Sequence, residues 1–456
     1  MKFNPATQEA IKVGLAVALA VLSALAFGWD KAYWSAITVF VVAATESYSY
    51  AIKKGQNRLV GTLIGIAFAV FLLAIFPQNH LVFICVYCAF LALCVYFSSH
   101  NSWGYAATIA FTVCAIVVCS GGFDASTTFN IAIVRTLQTL LGVVIYTLVF
   151  RLIWPKKTED LFFTLLPLVI SDQKKRIAQL RNNNRSIKQI SLAQQQRVNK
   201  LNEILTLPLN GSDRLRNQRK IWCLMMSVIM RLESLLTQYE QADNHADEIM
   251  LGDLIAGEKL IAESMLSIKD HKLDLTVWLL KTKNRYSVQA QRQNTFLLPL
   301  KNRFKNVVKA LCILTTCLAM WIYIPLPGGY IVPMLASILA NVLVTLPDNA
   351  IKHAGLGTII WGVFFLSQYV FILPSATEAW QLGAYLFLNA VFIWKTCSAP
   401  SLGIQKVLAG NLAVVLPMGA LQLTPSYSME TPLLMMMLVF ICVGVAGFYT
   451  KLFSTD

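Results

Sequence analysis

The stretch WSAITVFVVAATESYSYAIKKGQNRLVGTLI, Trp34 to Ile64, decides the class of this chain. It opens with an apolar run too short to cross a bilayer comfortably, since a span needs about 20 residues. It turns polar at Thr45-Glu46-Ser47, passes a basic elbow of Lys53, Lys54 and Arg58, and closes with Gly61-Thr62 opening another apolar run. A carboxylate and three cations between hydrophobic segments are costly near hydrocarbon, so such groups mark a pathway or a partner. The reading is a polytopic membrane protein that moves something across the bilayer. The stretch does not name the cargo.

The rest of the chain agrees. Apolar residues make up 56% of the 456 and charged residues 13%, about half the usual charged share, and mean hydropathy is +0.59. A net charge of +15 in a soluble protein would suggest nucleic acid. Here 25 of the 38 Lys and Arg lie between Pro155 and Lys305, together with 15 of the 23 acids. That is a solvated cytoplasmic region obeying the positive-inside rule, and no nucleic-acid partner is expected. Eight of the ten cysteines fall inside apolar runs, and Cys85-x-x-Cys88 has no second pair or His cluster near it, so no metal, disulfide or cofactor is expected. Ile11 to Phe27 is long for a signal-peptide core and reads as a first span. Phosphate-loop, zinc-protease and nucleophile-elbow motifs do not occur, so the chain is not expected to be an enzyme.

Twelve apolar stretches follow in two groups. Ile11–Phe27, Trp34–Ala44, Arg58–Phe76, Leu81–Phe97, Trp103–Cys119 and Ile131–Trp154 form the first. Val307–Ile324, Tyr330–Leu346, Gly355–Ile372, Trp380–Trp394, Val407–Leu423 and Pro432–Phe453 form the second. Cations cluster at the N-terminus (Lys2, Lys12), after the second stretch and after the sixth (Arg151, Lys156, Lys157), which places both termini and the middle region in the cytoplasm. The expected domains are residues 1–155, 156–305 and 306–456. The middle region reads as helices. Asp213 is placed to cap a long one, along which Ile221, Met225, Val228, Leu232 and Leu235 make a seam suited to helix pairing. Asp247 is placed to cap another that runs through Ser267, and Asn182 to Asn184 and Asn210-Gly211-Ser212 are breaks.

An internal echo links the halves. Trp34 precedes Gly61-Thr62-x-Ile64 by 27 residues, and Tyr330 precedes Gly357-Thr358-x-Ile360 by 27. Six stretches entered from the same side in each half imply parallel repeats about an axis along the membrane normal. The expected fold is therefore all-α: two parallel six-helix membrane repeats joined by a cytoplasmic helical domain.

The motif R-x-x-G-T-x-x-G (Arg58, Gly61, Thr62, Gly65), the sequence RTLQTLLG from Arg135 to Gly142, and RLIWP from Arg151 to Pro155 resemble the fusaric acid resistance and aromatic acid exporter family. A more distant likeness is to plant aluminium-activated malate transporters. The resemblance implies export of aromatic or other weak organic acids across a bacterial inner membrane, with a periplasmic adaptor and an outer-membrane channel as partners. The repeat offset carries Arg135 to about Thr431, so the second half lacks that arginine. Whether chains pair as a homo-oligomer is left open.

Arg135 is the sharpest candidate for an organic anion, because a planar guanidinium suits a carboxylate; snorkelling or a structural ion pair is the alternative. Arg58, Lys53 and Lys54 form either a cationic inner mouth or an orientation signal, and Thr62 offers a hydroxyl beside glycines that also suit close packing. Glu46 and Asp30 are the candidates for proton coupling, against ion pairing and a loop charge respectively. His353 and Asp348 occupy the matching elbow of the second half. Trp34 either stacks on cargo or anchors at the interface. The function expected is proton-driven export of organic acids. A passive anion channel or a non-transporting scaffold using the Ile221–Leu235 seam are the alternatives.

Overall fold

The computed structural model describes residues 4–44, 48–155, 158–181, 192–206, 212–241, 248–286, 298–324, 327–346, 348–399 and 402–454. Every element in them is helical. By contact the chain divides into two compact units: Met1–Thr45, Lys54–Pro155 and Thr295–Asp456 make the first, and Glu46–Lys53 with Lys156–Asn294 the second.

Among the described residues, twelve α-helices and a short 3-10 turn at Leu373–Ser375 build the first unit. They are α1 (Pro5–Ala26), α2 (Tyr33–Ala43), α3 (Tyr48–Ile75, which groups with the second unit as far as Lys53), α4 (His80–Phe97), α5 (Gly104–Gly121) and α6 (Ala125–Leu152). After the second unit the chain continues as α13 (Leu300–Tyr323), α14 (Ile331–Leu343), α15 (Asp348–Phe371), α16 (Ala379–Thr396), α17 (Gly403–Val415) and α18 (Glu430–Ser454). Each apolar stretch anticipated above has its own helix, although Val407–Leu423 outruns α17, which ends at Val415. Local chemistry sets several starts. Pro5 occupies the first helical turn behind Asn4, where its missing N–H costs nothing. The Asn79 side chain accepts from the Val82 amide at the start of α4, and Asp124 from the Thr127 amide at the start of α6, satisfying amides that a helix leaves orphaned.

Nine helices among the described residues are long and apolar enough to cross a membrane, and α2, α14 and α17 are shorter apolar helices. With 11 and 13 residues, these three reach only about 16–20 Å, well short of a hydrocarbon core of about 30 Å. Such interrupted backbone is tolerated at membrane depth only where protein or a water-filled cavity covers it. The packing supplies that cover: α1 lies against α16 and α13 against α4, while α2 lies against α17 and α14 against α5. The short helices also rest on α6 and α18, respectively for α2 and α14. Lys12, expected ahead of the first span, is inside α1 and buried, and its Nζ donates to the Trp154 carbonyl at 3.2 Å.

The second unit holds α7 (Thr158–Arg181), α8 (Leu192–Thr206), α9 (Asp213–Asn217), α10 (Arg219–Gln241), α11 (Glu248–Ser264) and α12 (Lys272–Arg285). Part of α10 is apolar enough to count among the nine long helices. However, Met225, Val228, Leu232 and Leu235 are fully buried with Phe162, Leu166, Leu201 and Leu254 in a core of the unit's own. The anticipated seam is thus the inner face of a core helix, with Ile221 packed at its edge. Asp213 does not cap that helix. It opens the five-residue α9 and pairs with Arg216 at 3.0 Å, and α10 starts only at Arg219. The helix anticipated to run through Ser267 ends at Ser264. Asp247, Asn182 to Asn184 and Asn210-Gly211 lie outside the described residues.

A buried carboxylate joins α11 to α12. Asp253 accepts from Lys281 Nζ (3.1 Å), Arg285 Nη1 (2.9 Å) and the Tyr286 hydroxyl (3.0 Å). Burial alone would raise its pKa, but the three donors outweigh that and hold the carboxyl below the usual carboxylate range. A depressed folded pKa stabilises above the unfolded value of about 3.9 and is lost as pH falls through the folded value. The clamp is therefore at full strength at neutral pH and weakens in acid below about pH 4. Asp253→Ala should cost about 1–2 kcal/mol, since Lys281 and Arg285 still reach water. Hydrogen–deuterium exchange of the full chain should speed up across α11 and α12 while α7 and α8 stay protected.

Candidate anion-binding cavity

The first unit contains a cavity of about 810 Å³, partly open to its surroundings. Four cations line it, Lys31, Lys54, Arg58 and Arg135, with Asp30 the one acid among the described lining residues. All five belong to the first half of the chain. The second half contributes no charge to the described lining. From Tyr330 to Met435 it supplies aliphatic side chains, Met334, Met418 and Met435, and a few neutral polar groups. The cavity thus pairs a cationic side with a neutral, mostly apolar one.

Arg135 is placed by the face of α6. Ala132, Arg135, Gln138, Thr139, Gly142 and Tyr146 are its buried residues there, and steps of three and four put them on one side of a helix. Gly142 lets that face close on α2, because a Cβ would stand 2.7 Å from the Ser35 carbonyl oxygen. Arg135 is 4% exposed, and its guanidinium carbon lies 3.3 Å from the centre of the Trp34 ring, a cation–π stack. Its Nε and Nη1 are buried with no hydrogen-bond partner among the described residues. One turn away, Gln138 Nε2 donates to the Asp30 carbonyl at 2.6 Å. That bond holds the turn in which Lys31 adopts φ of 60°, a left-handed conformation that lysine seldom takes.

Arg58 is held differently. Its Nε donates to Thr38 Oγ1 (3.2 Å) and its Nη1 to the Tyr105 hydroxyl (3.0 Å), so α3 is tied to α2 and α5. Thr38 in turn donates to the Trp34 carbonyl at 3.0 Å. The Lys54 ammonium sits 5.2 Å from the centre of the Tyr105 ring. Gly61 and Gly65 seat α3 on α5: added Cβ atoms would stand 2.5 Å from the Ala106 carbonyl oxygen and 2.3 Å from that of Ala110. The Thr62 hydroxyl, read above as available to an anion, donates to the Arg58 carbonyl one turn back at 2.8 Å.

Six anticipated residues therefore meet at one cavity: Arg135, Arg58, Lys54, Thr62, Asp30 and Trp34. Lys53 groups with the second unit and is not among the lining residues. His353 is exposed, with its carbonyl accepting from Gln405 Nε2, and does not line the cavity either. Glu46 lies outside the described residues, as does the Asp348 side chain. The sequence reading missed Thr38, Tyr105, Gln138, Tyr33 and Tyr330. Gln138 was visible in principle, three residues after Arg135 in the quoted motif. Tyr105 was not, because its contact with Arg58 crosses 47 residues of chain.

Chemically the site presents a buried cation on the lining of a space large enough for a small molecule. Such a group calls for an anion. Residues 8–263, which carry every charged residue of the described lining, match the fusaric acid resistance proteins. The chain belongs to the fusaric acid resistance protein family. It is also 28% identical over 162 residues to the p-hydroxybenzoic acid efflux pump subunit AaeB of Edwardsiella ictaluri (strain 93-146). It is 27% identical over 160 residues to the protein of the same name from Edwardsiella tarda (strain FL6-60). Each match takes in 33% of this chain and 25% of the relative, so the chain aligns with about a quarter of the curated relatives' length. No solved structure matches the chain. For this fusaric acid resistance family member, the cationic side of the cavity lies wholly within the family match and the neutral side beyond it.

Proposed function

We propose that the chain is a secondary transporter of a bacterial inner membrane that exports organic acids, aromatic carboxylates foremost, driven by the proton gradient. The observation that carries this reading is Arg135, buried at a cavity with two of its donor nitrogens unpaired among the described residues. In this reading an anion is drawn in by Lys54 and Arg58 and held by Arg135, while its ring meets Tyr33, Trp34 and the neutral side of the cavity. Asp30 and Glu46 are the proton-coupling residues. Both termini and the second unit face the cytoplasm, as the cation distribution favours. The reciprocal pairing of α1 with α16, α13 with α4, α2 with α17 and α14 with α5 supports two related six-helix halves with the substrate between them. The domain limits are then 1–155, 156–305 and 306–456. A periplasmic adaptor and an outer-membrane channel complete the route, in keeping with relatives named as pump subunits.

The test is flux of labelled p-hydroxybenzoate in proteoliposomes of the full chain, with and without an imposed pH gradient. Gradient-driven accumulation, abolished by a protonophore, is the expected result. Downhill flux indifferent to the gradient would replace the exporter with a passive anion channel. No flux of the acid in either condition would withdraw aromatic carboxylates as the cargo.

A further inference from the structure

Two guanidinium groups rest on α2 at successive turns. Arg135 stacks on Trp34, and Arg58 donates to Thr38, four residues and about 6 Å further along the helix axis. The cavity is longer than that. Its lining residues on α5 run from Gly104 to Ser120, about 24 Å of helix, and 810 Å³ lies in the range that holds a drug-sized ligand. One single-ring acid leaves much of it unfilled. The surroundings of Arg58 are furnished for an anion of their own. Its Nε is spent on Thr38 and its Nη1 on the Tyr105 hydroxyl, at 3.2 and 3.0 Å, which leaves Nη2. The Tyr105 oxygen accepts in that bond and keeps its own hydrogen to donate. Tyr105 lines the cavity and is only half-buried. Nη2 and the Tyr105 hydroxyl are therefore neighbouring donors, and a carboxylate has an oxygen for each. Lys54 also lines the cavity, 5.2 Å from the centre of the Tyr105 ring, and adds positive charge. Asp30, the one acid of the described lining, sits instead on the turn held by Gln138 of α6, the helix that carries Arg135.

We propose that Tyr105, Arg58 and Lys54 form a second carboxylate station in the cavity, occupied together with the station at Arg135. The Tyr105 hydroxyl and Arg58 Nη2 donate to the carboxylate there, and Lys54 supplies charge. This rests on the anion reading of the cavity given above and adds a second site to it. A single buried arginine that holds an anion well also releases it slowly. An anion arriving at an adjacent station repels the one already held and speeds its departure, as neighbouring ion sites do in conducting pores.

The experiment is a fluorine NMR titration of the full chain in lipid nanodiscs with p-fluorobenzoate, read against empty nanodiscs. Wild type should show two binding events. Arg135→Ala should lose the tighter and keep the weaker. Tyr105→Phe, which keeps the ring beneath Lys54, should keep the tighter and weaken the other by roughly tenfold or more. Adding Tyr105→Phe to Arg135→Ala should weaken the remaining event by the same factor. Thermal unfolding certifies each fold, and the comparison of wild type with Tyr105→Phe decides the matter if Arg135→Ala does not fold. A single event in wild type, or a weaker event that Tyr105→Phe leaves unchanged, would overturn the second station while leaving the Arg135 site standing. Failure of wild type to bind the acid at all would overturn the anion reading and this proposal together.

Discussion

Arg135→Ala should abolish high-affinity binding of aromatic carboxylates without lowering the thermal stability of the empty protein. Truncating one partner of a buried, hydrogen-bonded charge pair costs about 2–4 kcal/mol of binding, roughly 30- to 1,000-fold in Kd. The stability half of the expectation follows from the empty site. Nε and Nη1 of Arg135 are buried without partners among the described residues, so the free protein bears the desolvation of that cation with little return beyond the stack on Trp34. Its removal relieves that cost. A residue kept for structure behaves in the opposite way, losing stability with or without ligand. Arg135→Lys separates charge from shape: the ammonium keeps the sign but lacks the planar fork that meets a carboxylate with two bonds and lies flat on indole. Its Kd should fall between wild type and alanine. Titration and thermal unfolding of the same preparations decide the matter. Unchanged affinity in Arg135→Ala would remove the arginine from the binding site.

The residues that were legible in sequence are those whose type is costly in their surroundings. Arg135, Arg58, Lys54 and Asp30 stood out because charge within or beside apolar runs demands an explanation, and all four line the cavity. Lys53 carries the same local signal as Lys54 yet groups with the second unit. Adjacent helical residues point about 100° apart, and the sequence does not say which of the two faces the site. Thr62 shows the converse limit. A hydroxyl beside an arginine reads as a ligand, but on a helix the carbonyl one turn back is always within reach, and the Thr62 hydroxyl donates there. Thr358 does the same to Ala354 in the second half. Asn411 was invisible because a single asparagine among apolar residues gives no periodic signal, and only the packing places it on the cavity lining. Helix positions were legible almost throughout the first unit. The break at Gln218 was not, because Ser212 to Lys220, SDRLRNQRK, holds no glycine or proline to mark it.

The glycines of the same motif make the largest structural prediction. Gly65→Leu should lower the stability of the chain by about 3 kcal/mol, toward the upper end of overpacking costs, and should weaken anion binding as well. A Cβ at Gly65 would stand 2.3 Å from the Ala110 carbonyl oxygen, and one at Gly61 2.5 Å from that of Ala106. Both obstacles are backbone, so no rotamer change makes room and α3 must move away from α5. That movement parts Arg58 on α3 from Tyr105 on α5, whose hydrogen bond measures 3.0 Å, and frees a guanidinium that is now oriented. Small residues four apart allow such close approach between helices. In R-x-x-G-T-x-x-G, therefore, the arginine lines the cavity and the glycines fix how far apart its walls stand. Gly444 and Gly447 on α18 supply the contrast, with nothing within 4 Å of an added Cβ. Alanine there should be neutral or stabilising by up to about 1 kcal/mol, through reduced freedom of the unfolded chain. Thermal unfolding of Gly65→Leu beside Gly444→Ala, followed by titration with p-hydroxybenzoate, separates steric packing from the general cost of replacing glycine. Equal stability of the two variants would mean that α3 and α5 are not held at the distance the motif implies.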